Sequence, residues 1–239
     1  MSLLISFHLP PNRIFNPAVT PLKGKYLPDT GNQALEIKIR MAELEAYKMQ
    51  SPNGSHSKKG HVCPWWLAYT FDNPLRKLFQ DPQKMLAPYV KQGMRVMDVG
   101  CGMGFFSIGM AGLVGAKGRV FSIDLQAKML EITEKRAKRA GVDQRLDLHR
   151  CTPDSLGIQE KVDFILTFYM VHEVNDQSGF FDQLLSNLSP GGKVLIAEPK
   201  FHVCAEDFEK TLKIARSSGL KVCGQPPIRF SHAVLIESD

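Results

Sequence analysis

Three glycines, Gly100, Gly102 and Gly104, stand at alternate positions inside the stretch VMDVGCGMGFFSIGMA, residues 96–111. The flanking residues are apolar, and the one charge in the stretch is Asp98, near the end of the first apolar run. Glycine in such a turn permits positive φ and lets a ligand approach the backbone closely. A helix beginning just beyond the turn would offer its unpaired N–H groups to an anion. A second carboxylate, Asp124, closes the next apolar run, where it can accept hydrogen bonds from two ribose hydroxyls. Together these residues read as a nucleotide or cofactor site at the carboxyl end of a parallel strand. The spacing is Gly-x-Gly-x-Gly, not the Gly-x-Gly-x-x-Gly of the dinucleotide fingerprint. That spacing, with Asp98, speaks against a nicotinamide-dependent oxidoreductase.

The elements that must position these residues follow from the hydrophobic period. Strands are expected at Arg95–Val99, Arg119–Asp124, Leu146–Arg150, Val162–Thr167 and Lys193–Glu198, with two terminal strands at Leu220–Cys223 and Ala233–Ile236. Helices are expected at Phe105–Val114, at Ala127–Ala140 closed by Gly141, at Gly179–Leu188 ended by Ser189-Pro190-Gly191-Gly192, and at Ala205–Ser217 ended by Gly219. Strands alternating with helices imply an α/β fold with a largely parallel sheet. Upstream, Asn73-Pro74 and Asp81-Pro82 each suit a helix start, predicting helices near 74–80 and 82–90.

Asp-Val-Gly-Cys-Gly-Met-Gly, the acidic residue at 124, the strand VDFILTFYMVHEV and the segment LSPGGKVLIAEP together resemble the class I S-adenosylmethionine-dependent methyltransferases. The likeness covers about residues 84–239 and is nearest to the small-molecule branch that includes the ubiquinone and menaquinone biosynthesis enzymes. It implies a Rossmann-like class I methyltransferase fold: a mostly parallel seven-stranded sheet flanked by helices, with an N-terminal helical extension. It also implies S-adenosyl-L-methionine as cofactor and a small-molecule methyl acceptor. Gly100, Gly102 and Gly104 would then pass beneath the methionine part of the cofactor, with Cys101 filling a small-residue position between them. Asp98 would orient the loop or a water near the amino group, Asp124 would bind the ribose, Leu125 would lie against the adenine, and Phe168 would line the methionine end. The segment after the third strand departs from the family pattern. It offers Thr152 or Asp154 to the adenine, and both stay open.

His172 and Glu173 follow the fourth strand, at the rim where an acceptor would sit. A histidine there can act as general base, because its pKa lies near working pH. Otherwise it fixes the loop or packs on the cofactor. Residues 61–92 are rich in aromatic side chains, including both tryptophans, and read as a lid or cap in which Trp65 and Tyr69 contact substrate. The alternative is a hydrophobic clasp that packs this segment on the sheet. Two further readings stay open: an acceptor that is nucleic acid or protein, and a cofactor-binding scaffold without transfer activity. Against nucleic acid, the residues after the fourth strand are Thr-Phe-Tyr-Met and not the Asn/Asp-Pro-Pro-Tyr of amino-methylating enzymes.

The chain of 239 residues suffices for one large domain with an appendage. Residues 1–60 form an extension with five prolines in its first 32 residues, one helix at Gln33–Met49 and a linker at 50–60; residues 93–239 form the cofactor-binding domain. The extension holds eight Lys/Arg against four Asp/Glu, so most of the net charge of +6 lies there and the remainder is close to balanced. A solvated tail explains that charge as simply as a nucleic-acid or membrane contact does. The longest strong apolar run, Phe164–Val171, is eight residues, well short of the roughly 18 that would suggest a membrane span. Five cysteines without zinc spacing or a CxxC pair read as reduced thiols of a cytoplasmic protein with no metal site.

Overall fold

The computed structural model describes residues 80–239. The expectations for residues 1–79, including the extension, its helix, the helix near 74–80, and Trp65 and Tyr69, lie outside the described residues.

The described chain opens with a short helix, α1 (Pro82–Leu86), capped by Asp81, whose carboxylate accepts from the backbone N–H of Gln83 and Lys84. Its end comes earlier than the period predicts. Ala87 keeps helical backbone, but Pro88 has no N–H to donate back to the preceding turn, so the helical bonding stops short of 90. Then follow β1 (Arg95–Val99), α2 (Phe105–Val114), β2 (Arg119–Asp124), α3 (Ala127–Ala140), β3 (Leu146–Arg150), β4 (Val162–Phe168), α4 (Gln177–Asn187), β5 (Leu188–Pro199), α5 (Ala205–Ser217), β6 (Leu220–Gly224) and β7 (Ser231–Ser238).

The strands form one seven-stranded sheet in the order β3-β2-β1-β4-β5-β7-β6. The first five run parallel, while β7 is antiparallel to both β5 and β6. The central strands are buried on both faces, which is why they read as continuous apolar runs and not as alternating patterns. One face packs α4 and α5 through Phe181, Leu184 and Leu212. The other packs α1 and α2 through Leu86, Met110 and Val114.

Two boundaries shift for local reasons. Helix α4 starts at Gln177, ahead of the expected Gly179, because Asp176 caps it by accepting from the Gly179 N–H. Strand β5 begins at Leu188 and so takes in Ser189-Pro190-Gly191-Gly192, expected as a turn before the strand. Its register against β4 jumps from Val162↔Leu188 to Phe164↔Lys193, so these four residues form an irregularity in a longer strand.

β1 has β2 on one side and β4 on the other, so the chain reverses its direction of travel across the sheet at this point. In an open parallel sheet, the crevice beyond the carboxyl ends of strands at such a reversal is where a ligand binds.

Candidate cofactor and acceptor site

A cavity of about 320 Å³ opens at this edge. The turn between β1 and α2 forms one wall. All three of its glycines have positive φ: 71° at Gly100, 54° at Gly102 and 77° at Gly104. The Gly100 and Cys101 N–H groups both donate to the Ile123 carbonyl at 2.9 Å, which ties the turn to β2. Helix α3 holds it from the other side: the Thr133 hydroxyl donates to the Gly102 carbonyl at 2.9 Å and the Arg136 guanidinium to the Met103 carbonyl at 3.2 Å.

The glycines differ in what surrounds them. A Cβ built on Gly102 meets nothing within 4 Å, and Gly102 lines the cavity. A Cβ on Gly104 would lie 2.6 Å from Thr133 Cγ2, so this glycine serves the packing of α2 against α3. Gly100 lines the cavity beneath the Met170 side chain.

Asp124 ends β2 at the cavity wall and is 8% exposed. One carboxylate oxygen accepts from the Gly102 N–H at 2.8 Å and the other from the Gln126 N–H at 2.9 Å. Burial raises its pKa, and the two backbone hydrogen bonds oppose that rise. Each oxygen retains acceptor capacity beyond its backbone partner, which suits a diol. Leu125, Thr152 and Asp154 line the same cavity on the side of β3, with Cys151 between them. The Cys151 thiol is pushed up to about 11, by burial first and by Asp124 second, so it stays neutral.

Asp98, Cys101, Gly104 and Phe168 are not among the residues lining the cavity. Asp98 is buried and accepts from the Ser107 hydroxyl at 2.5 Å, so it pins the first turns of α2 beneath the loop. The Cys101 thiol is held far above its ordinary value by burial and then by Asp98 and Asp124, and stays a neutral small side chain. Phe168 packs between Phe106 (centroids 4.4 Å apart) and Tyr169 (4.3 Å). The aromatic residues that do line the cavity are Tyr169, the next residue along, and Phe180.

Tyr169 was not distinguished by the sequence pattern. It has φ +61°, a left-handed conformation that is an outlier for a bulky residue. Its hydroxyl receives a hydrogen bond from the Gln80 amide at 3.1 Å and lies 2.8 Å from the Ser231 hydroxyl. Left-handed backbone at an aromatic residue has no sequence signature, because the surrounding structure imposes it.

His172 sits on a 3₁₀ turn, Val171–Glu173, just after β4. Its Nδ1 bonds one oxygen of Glu198, and the other oxygen accepts from the Val171 N–H at 2.8 Å. Burial works against a charge on His172, but the Glu198 hydrogen bond and charge, with Glu173 nearby, prevail and raise its pKa. Glu198, 1% exposed, was visible in the sequence only as an acid closing the apolar run LIAEP. Glu173 lines the cavity; His172 is not among the lining residues, and its ring lies 4.8 Å from that of His202.

A parallel sheet reversing at β1, a glycine turn with one open position and a buried carboxylate with spare acceptor capacity define a nucleotide-cofactor site of the methyltransferase type. Comparison with known proteins gives the family. The model of the methyltransferase domain family matches residues 90–225, and the chain belongs to that family. A ubiquinone biosynthesis O-methyltransferase of Chelativorans sp. (strain BNC1) is 33% identical over 153 residues, 64% of this chain and 57% of that protein. A demethylmenaquinone methyltransferase of Bacillus velezensis is 28% identical over 109 residues, 46% of this chain and 47% of that protein. The chain thus spans about half the length of these curated relatives. Among solved structures, a SAM-dependent methyltransferase from Aquifex aeolicus superposes with a TM-score of 0.66 at 24% identity, over 73% of this chain and 98% of that one. It shares the fold.

Proposed function

We propose that this chain transfers a methyl group from S-adenosylmethionine to a small-molecule acceptor, with S-adenosylhomocysteine as the other product. The observation that carries the reading is Asp124. It is a buried carboxylate held on two backbone N–H groups and lining the cavity at the end of β2. A charge kept there against its burial cost suits a ligand that donates hydrogen bonds to it. The bound cofactor supplies an electrophilic methyl group on a sulfonium. The residues of the chain do the rest. Gly102 leaves room for the ligand against the backbone, Asp124 takes the ribose hydroxyls, and Leu125 with Thr152 or Asp154 forms the adenine side.

His172 is the proposed general base. With Nδ1 engaged by Glu198, its Nε2 is the nitrogen that can accept a proton, as in other histidine–carboxylate pairs. Much of the rate would come from in-line positioning in a site that excludes water. The quinone-biosynthesis names of two relatives support a small-molecule acceptor. Trp65 and Tyr69, which lie outside the described residues, are proposed to contact the acceptor. The four described cysteines are all free thiols, and no described helix is long and apolar enough to cross a membrane; both fit a cytoplasmic location.

The test uses S-adenosylmethionine with a labelled methyl group, the purified chain and a cell extract separated by size. Label in low-mass compounds is the expected outcome. Label in RNA, DNA or protein would overturn the acceptor class. No transfer despite calorimetric binding of the cofactor would point to the scaffold reading.

A further inference from the structure

The connection from β3 to β4, residues 151–161, contains no helix. Its first part is a tight turn in which the Thr152 N–H donates to the Ser155 carbonyl at 2.9 Å. Thr152, Pro153, Asp154 and Ser155 are exposed, and all four line the cavity. An exposed turn of this kind keeps one shape only if its ends are held. One end is held by β2, where the Cys151 N–H donates to the Asp124 carbonyl at 3.1 Å. The other end is held by α4, through the side chain of Gln183.

Gln183 is half-buried, and both halves of its amide are engaged. Its Oε1 accepts from the Leu156 N–H at 2.9 Å, and its Nε2 donates to the Asp154 carbonyl at 3.1 Å. The same Nε2 lies 3.3 Å from the Gly179 carbonyl one turn earlier in α4, which fixes the side chain along the helix. Leu156 belongs to the core at 5% exposure, so the turn is anchored just past its last exposed residue. A planar amide bonded to the backbone at two points sets the orientation of the turn as well as its position. Asn187, one turn further along α4, makes the same kind of bond to the same connection nearer β4: its Oδ1 accepts from the Glu160 N–H at 2.9 Å. Gln183 lines the cavity and Asn187 does not.

We propose that Gln183 is a positioning residue for the adenine of the cofactor, acting through the turn 152–155. It sets where the Thr152 hydroxyl and the Asp154 carboxylate stand along the cavity wall, and so whether the 6-amino group of the base meets an acceptor there. A site built around that acceptor rejects a base whose 6-position offers no donor. The inference rests on the methyl-transfer reading and assigns base selectivity to a residue of α4, 29 residues from Asp154 in the chain.

The full chain is titrated by calorimetry with S-adenosylhomocysteine and with S-inosylhomocysteine, in which a 6-oxo group replaces the 6-amino group. The parent should prefer the adenine compound roughly tenfold. Gln183→Met keeps the length of the side chain and removes both bonds, and it should shrink that preference to about threefold or less. Asn187→Ala loosens the same connection away from the cavity. It should lower the melting midpoint and keep the preference of the parent. No base preference in the parent, an undiminished preference in Gln183→Met, or an equal loss of preference in Asn187→Ala would each overturn the proposal. A parent that binds neither compound would strike the methyl-transfer reading, and this inference with it.

Discussion

Asp124 carries the cofactor proposal at the scale of a single residue. Because burial raises its pKa, the sign of its contribution follows: stability is highest below the ordinary carboxyl value and falls as pH rises through the folded value. At neutral pH its charge is therefore a net cost to the folded chain in the absence of ligand. Asp124→Ala removes that cost along with the two backbone hydrogen bonds, so the fold should persist in circular dichroism melts. Its affinity for S-adenosylhomocysteine should fall by about 1.5–3 kcal/mol for each ribose hydrogen bond lost, read by calorimetry. Unchanged affinity would remove Asp124 from the site. His172 also has a raised pKa, but it is a base, so the charged form is favoured in the folded state. The stability it contributes is fully present below the unfolded value, near ~6.5, and is lost as pH rises through the folded one. The melting midpoint of the parent chain should decline relative to His172→Gln as pH rises through that window. Parallel midpoints across it would show that the Glu198 pair does not favour the charged imidazole.

At the scale of elements, the β1–α2 turn is a clamp held from two sides: by β2 through the Ile123 carbonyl and the Asp124 carboxylate, and by α3 through Thr133 and Arg136. Its glycines have separable roles. Gly104→Ala places a Cβ against Thr133 at a positive φ, so it should lower stability by about 1–3 kcal/mol in chemical denaturation. Gly102→Ala meets no atom of the described residues and should lose only about 1–2 kcal/mol from its left-handed backbone, yet weaken S-adenosylhomocysteine binding more than Gly104→Ala does. Equal loss of affinity in both would mean that the turn acts only through its overall shape. The expected elements of the sheet were legible because its strands are short and apolar and the helices α3 and α5 are amphipathic, while α2 is an apolar run opened and closed by glycine. The discrepancies have nearby causes: Pro88 ends α1, the Asp176 cap extends α4, and the sheet takes up residues 189–192 that would turn in isolation.

For the whole molecule, the sheet order brings the ends of β1, β2, β3 and β4 around one cavity, so a ligand bound there links segments far apart in sequence. At about 100 times its Kd, S-adenosylhomocysteine should stabilise the chain by about 2.7 kcal/mol, a rise of roughly 5–10 °C in melting midpoint. NAD should give no such rise; a rise with NAD alone would restore the oxidoreductase reading. The α/β class, the glycine turn and the acidic end of β2 were legible in the chain alone, because these depend on local period and on residues adjacent in the chain. Which of those residues line the cavity was set by long-range packing. It turned Asp98 and Phe168 inward to brace α2 and brought Tyr169 to the wall in a left-handed conformation. It also set Glu198 behind His172 from a strand 26 residues further on and tied the turn after β3 to Gln183 of α4. These outcomes come from contacts between strands and loops distant in sequence, and no local pattern of residue types encodes them.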